Sequence, residues 1–110
     1  MRVISQNGTM DFPYDNSLVF LHESCIKGNT CVEIQLCGDT EIDIVAEYST
    51  EEKAVKAMEM LREAYNNNEF YHCTATTNTF QETMVLLSNE KIKEVTSEYF
   101  QFPQDDEIEV

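Results

Sequence analysis

Asp39, Glu41, Asp43 and Glu47 are the best-placed groups for chemistry in this sequence. Apolar and polar residues alternate through Glu41–Tyr48, which places the last three carboxylates on the outward face of a strand. Neighbouring carboxylates on one face could hold a magnesium ion, as in many nucleases. That chemistry also wants a lysine close by, and none follows at short spacing. The stripe reads instead as a solvated or partner-facing surface. A zinc site built from His22, Cys25, His72 and Cys73 is opposed by the absence of any CxxC pair. His22 and Cys25 are also an odd offset apart on a predicted strand, so they point to opposite faces. A Cys73–His22 nucleophile pair would require the fold to bring them together. With no secretory context, Cys25, Cys31, Cys37 and Cys73 read as reduced thiols. Gly8, Gly28 and Gly38 are isolated turn glycines rather than a phosphate loop, and HExxH and GxSxG are both missing. Neither a cofactor nor a metal is expected, and an enzyme is the least supported class.

Charge sets the next constraint. Seven Lys and Arg residues against 21 Asp and Glu give a net charge of −14. No basic cluster exists to displace counterions from a phosphate backbone, which disfavours direct nucleic-acid binding. Such a surface keeps a protein soluble, or it imitates nucleic acid and steers towards a basic partner. The candidate partner contacts are Asp39, Glu41, Asp43 and Glu47, together with Asp105, Asp106, Glu107 and Glu109 in the closing QDDEIEV.

The elements that position these groups form an α+β fold: an antiparallel β-meander packed against one long amphipathic helix. A chain of 110 residues, 42% apolar, is expected to form a single domain over residues 1–103, followed by a solvated acidic tail over 104–110. No apolar run approaches the roughly 20 residues of a membrane span, and the start lacks a signal-peptide pattern, so the expected location is cytoplasmic. The pivot is Ser49, where the hydrophobic period switches. Ile42, Ile44, Ala46 and Tyr48 alternate before it with Glu41, Asp43, Val45 and Glu47. After it Ala54, Met58, Leu61 and Tyr65 recur at helical spacing, widened by Ala57 and Ala64. Ser49 with Glu52 reads as a capping box, and the helix is expected over residues 49–65, ending at Asn66-Asn67-Asn68.

Upstream, Met1–Tyr14 reads as a hairpin about Asn7-Gly8, a pair suited to a turn with positive φ at both central positions. Ser17–Lys27 and Cys31–Cys37 flank a second turn at Gly28-Asn29-Thr30, and Gly38-Asp39-Thr40 is a third. Downstream, FYHCTATT is rich in β-formers. Thr79 with Glu82 opens a second helix over residues 79–96, the alternative being a hairpin turning at Ser88–Glu90. Ser97–Phe102 reads as a short C-terminal strand stopped by Pro103.

The segments MRVISQNGTMDFPY, AEYSTEEKAVKAMEMLREAY and YFQFPQDDEIEV together resemble a family of small proteins carried by phages and mobile elements of Gram-positive bacteria. The resemblance implies an accessory gene and fixes no biochemical activity. In that context the acidic faces suggest a non-enzymatic inhibitor that docks, in the manner of a nucleic-acid mimic, on a basic host defence protein such as a CRISPR effector. A second reading is a sponge for a cyclic-nucleotide or ADP-ribose-type signal, for which Arg62, Tyr65, Phe70, Tyr71 and Tyr99 are the available parts. A third is an oligomeric structural module, with a homodimer formed through free sheet edges or the aromatic strand YFQF.

Overall fold

The computed structural model describes residues 1–24, 26–74 and 98–109. The described residues form an α+β fold of two three-stranded sheets and one long helix. In the first sheet β1 (Arg2–Ile4) lies between β2 (Asp11–Pro13) and β6 (Tyr99–Gln101), antiparallel to β2 and parallel to β6. The second is an antiparallel meander of β3 (Ser17–Glu23), β4 (Thr30–Leu36) and β5 (Asp43–Tyr48). The long helix α1 (Glu51–Thr74) follows β5 directly. The meander expected to run from the N-terminus is thus divided in two. Pro13 has no N–H for a ladder, and Tyr14–Asn16 form a 3-10 turn that sends the chain into the second sheet. The helix expected over residues 79–96, its hairpin alternative, Cys25 and the side chain of Cys73 lie outside the described residues.

One core joins both sheets to the helix. Val3, Phe12, Phe102 and Ile108 meet Val32, Ile34, Val45, Ala46 and Tyr48, and Ala54, Ala57 and Leu61 supply the helical side. Small alanines at helical spacing let α1 approach the sheet closely. Of the stripe expected on α1, Met58 and Tyr65 are only half-buried. The face continues instead to Asn68, 1% exposed.

Three local expectations are corrected. The helix does not stop at Asn66-Asn67-Asn68, and the described part of FYHCTATT is helical. Asn68 Nδ2 and His72 Nε2, one turn apart, both reach Glu98 Oε2, at 3.4 and 3.2 Å. These tertiary partners override the turn preference of the asparagine run. At the other end the N-cap is Thr50, whose Oγ1 accepts the Lys53 N–H at 3.2 Å, in place of the Ser49–Glu52 box. In the first hairpin only Gly8 has positive φ, +75°. The Gly8 N–H closes the turn on the Ser5 carbonyl at 2.9 Å. The buried Ser5 hydroxyl donates to Asn7 Oδ1 and accepts the Met10 N–H.

The turn before Gly8 also carries Gln6, which closes the outer edge of β5. Its N–H donates to the Val45 carbonyl at 2.7 Å. Its side chain accepts the Glu47 N–H at 3.0 Å and donates to the Glu47 and Pro103 carbonyls, both at 3.1 Å. The Gln6 carbonyl in turn accepts Gln104 Nε2 at 2.6 Å. A primary amide thereby supplies the donor and acceptor of a neighbouring strand. Replacing Gln6 by Ala strands the half-buried N–H and C=O of Glu47, while the Pro103 carbonyl keeps the Tyr48 hydroxyl. Chemical denaturation should show a loss of about 1–3 kcal/mol with an unchanged slope, whereas an unchanged midpoint would show the clamp to be dispensable.

Candidate functional site

β5 is the element meant to present the acidic stripe, and a bulge divides it. Val32 lies opposite Ala46 and Glu33 opposite Ile44, which leaves Val45 as the extra residue on β5. Val45, Ala46 and Tyr48 are buried, while Ile42 and Ile44 are 52% and 55% exposed, against the strict alternation expected. Glu47, opposite Cys31, shares a face with Ile44, whereas Asp43, opposite Ile34, falls on the other. Asp43 and Glu47 therefore do not form one stripe.

The eight predicted partner contacts separate by what already holds them. Glu47 is half-buried, and its Oε1 accepts Ser24 Oγ at 3.0 Å and Asn29 Nδ2 at 2.9 Å, which ties β5 to the β3–β4 turn. Asp39 Oδ1 accepts the Glu41 N–H at 3.1 Å, shaping the turn into β5. Glu107 Oε1 accepts the Gln104 N–H at 2.9 Å. Asp105 is the most committed. Its carboxylate accepts the Ser49 N–H at 2.7 Å, Ser49 Oγ at 3.1 Å and Lys53 Nζ at 3.3 Å. Glu41, Asp43, Asp106 and Glu109 are exposed.

Residues 104–108 accordingly correct the expectation of a solvated tail. Asp105–Glu107 form a 3-10 turn, and Ile108, 5% exposed, is part of the core. Tyr48 Oη donates to the Pro103 carbonyl at 2.8 Å. Burial pushes the Tyr48 hydroxyl well above its ordinary pKa, and the charges of Asp105 and Glu107 add to the rise.

Two acidic surfaces result, one at each end of β5. Six residues of strand separate them by about 20 Å. At the start of β5 lie Asp39, Glu41 and Asp43. At its end Glu51 and Glu52 in the first turn of α1 stand beside the Asp105–Glu107 turn. Neither is among the expected contacts: Glu52 reads from the sequence only as half of a capping box, and Glu51 carries no pattern of its own. The joining of their segment to 105–107 by Ser49 and Lys53 spans a chain distance that no local pattern reports. Glu59, Glu63 and Glu69 extend the exposed charge along α1, with Lys56 4.0 Å from Glu59.

The alternative ligand set is not gathered. Arg62 and Tyr65, about 60° apart around α1, share a side, but Phe70 and Tyr71 lie more than a turn further along the helix and about 80° and 180° round from Arg62. Tyr65 packs on Tyr14 with ring centroids 4.7 Å apart. Desolvation, then Glu69 and Asp15, raise its hydroxyl pKa, an acidic setting for an anionic ligand. Tyr99 is 59% exposed on β6. A groove of about 360 Å³ lies elsewhere, between the β3–β4 turn and Glu51, and is lined by none of the five. His22 sits on β3, its Nδ1 3.6 Å from Glu33, and His72 is at the far end of α1 against Glu98. Among the described residues no group of His, Cys, Asp and Glu has metal-binding geometry, Cys31 and Cys37 are free thiols, and no helix is long and apolar enough to cross a membrane.

No protein-family model, curated protein or solved structure matches the chain.

The Asp105 contacts give a pH signature. Chiefly through the Ser49 N–H, and despite an opposing desolvation effect, its carboxyl is held below its ordinary value of 3.8. Its contribution to stability is therefore complete above that value and is lost as pH falls through the lower folded-state value. Asp105→Asn should lower the thermal midpoint at neutral pH, and the difference from the parent should shrink towards zero on acidification. A difference independent of pH would contradict this assignment.

Proposed function

We propose that this chain is a non-enzymatic accessory protein of a phage or mobile element, acting in the cytoplasm of a bacterial host. It docks an acidic surface on a basic, nucleic-acid-binding defence protein such as a CRISPR effector and so competes with nucleic acid. The observation that supports the reading is the pair of exposed acidic surfaces at the two ends of β5. Glu41 and Asp43 stand at one end and Glu51, Glu52 and Asp106 at the other, in a chain with three acidic residues for every basic one. Carboxylates held about 20 Å apart, at the two ends of one strand, can meet separated basic groups without first paying the ordering entropy of a disordered acidic segment. The nucleotide-sponge alternative has less support, since its five residues are not gathered.

Charge complementarity of this kind accelerates association and weakens with screening. The measurement is affinity for a purified basic effector across a salt titration, with the parent chain and a variant carrying Glu41→Gln, Asp43→Asn, Asp106→Asn and Glu109→Gln. These four side chains are exposed, so the variant should keep its fold to within about 0.5 kcal/mol per site. Its affinity should fall about tenfold or more at low salt, with a shallower salt dependence. Binding that is indifferent to both salt and the four substitutions would refute the proposal.

A further inference from the structure

The two edges of the β3–β4–β5 sheet are treated in opposite ways. Gln6 closes the β5 edge, whereas β3, seven residues long, is among the described residues the outermost strand on the other side. Among the described residues β3 has little that protects an edge: SLVFLHE contains no Pro and no Lys, its one carboxylate sits at its end, and its register with β4 runs without a bulge.

The ladder shows which backbone groups face outward. The Ser24 N–H donates to the Asn29 carbonyl at 3.1 Å and the Cys37 N–H to the Asn16 carbonyl at 2.8 Å, extending the β3–β4 register at both ends. Hydrogen-bonded pairs alternate along an antiparallel ladder, so Leu18, Phe20 and His22 direct their N–H and C=O groups at β4. Ser17, Val19, Leu21 and Glu23 direct theirs away from it. Two of these outward groups are already engaged. The Ser17 N–H donates to the Tyr14 carbonyl, and His22 Nδ1 donates to the Glu23 carbonyl at 2.8 Å.

We propose that β3 pairs with β3 of a second copy of this chain, antiparallel about a two-fold axis at Phe20, to make one continuous six-stranded sheet. In that register Val19 lies opposite Leu21 of the second copy and exchanges both hydrogen bonds with it. The Glu23 N–H meets the Ser17 carbonyl. The one mismatch would be the Ser17 N–H against the Glu23 carbonyl, and those are the two groups already satisfied within the chain. The side chains are self-complementary as well. Phe20 faces Phe20, Leu18 faces His22, and the single carboxylate of the strand, Glu23, faces Ser17, so no like charges oppose one another.

This self-association is independent of docking on a basic partner, and salt distinguishes the two. Two chains of charge −14 repel, so dimerisation should tighten as salt rises, whereas partner docking weakens. Sedimentation equilibrium should give a mass above the 12.7 kDa of one chain, rising with concentration and with salt. Amide hydrogen exchange supplies a test that needs no variant. On concentration the Val19, Leu21 and Glu23 amides should slow about tenfold or more, while those of Leu18, Phe20 and His22, already bonded to β4, should not change. Phe20→Lys, which sets two ammonium groups against each other at the axis, should yield a monomer, and Ile44→Lys on β5 should remain a dimer. A single-chain mass at all concentrations, outward amides that ignore concentration, or a Phe20→Lys chain that dimerises like the parent would overturn the proposal.

Discussion

The structure depends on the way Gln6 joins three parts of the chain that are far apart in sequence. Every polar group of this residue is engaged: its N–H by Val45, its carbonyl by Gln104, and its side-chain amide by Glu47 and Pro103. The first hairpin, the last strand of the meander and the C-terminal segment thus meet at one amide. Each bond contributes about 1 kcal/mol net, but leaving its partners unpaired in a half-buried seam costs more than the bonds gain. The bulge at Val45 fits the same seam, because its carbonyl accepts the Gln6 N–H.

What remains for function is decided by what that seam consumes. Asp105 and Glu107 lie in the carboxylate-rich C-terminal stretch, and both are used within the fold, Asp105 at the junction of β5 and α1. Glu47 is likewise spent, on the β3–β4 turn. The acidic side chains with no such duty lie at the two ends of β5 and along the exposed face of α1. Structure and charge therefore divide the acidic residues between them, and a high carboxylate count alone does not say which are available.

Local patterns in the sequence reported local structure well. Alternation and helical spacing about Ser49 located the strand-to-helix junction to within two residues, because burial of one face dictates both periods. Gly28 and Gly38 marked turns that do need positive φ. What the sequence hid is what long-range contacts decide. The bulge that turns Ile44 outward depends on Gln6, and the continuation of α1 through three asparagines depends on Glu98. The burial of Ile108 depends on a core assembled from Val3, Phe12 and Phe102. The candidate site was half legible for the same reason. Carboxylates could be counted in advance, but their internal partners Ser24, Asn29, Ser49 and Lys53 are brought to them only by folding.

The central claim is that residues 104–109 are part of the folded unit. Equilibrium urea unfolding of a chain ending at Pro103, set beside the full chain, tests it most directly. Loss of the Gln104 and Asp105 contacts and of Ile108 from the core should move the midpoint to clearly lower denaturant and reduce the slope, since less surface is exposed on unfolding. A truncated chain with the midpoint and slope of the full chain would show that the segment is an appendage and contradict the account.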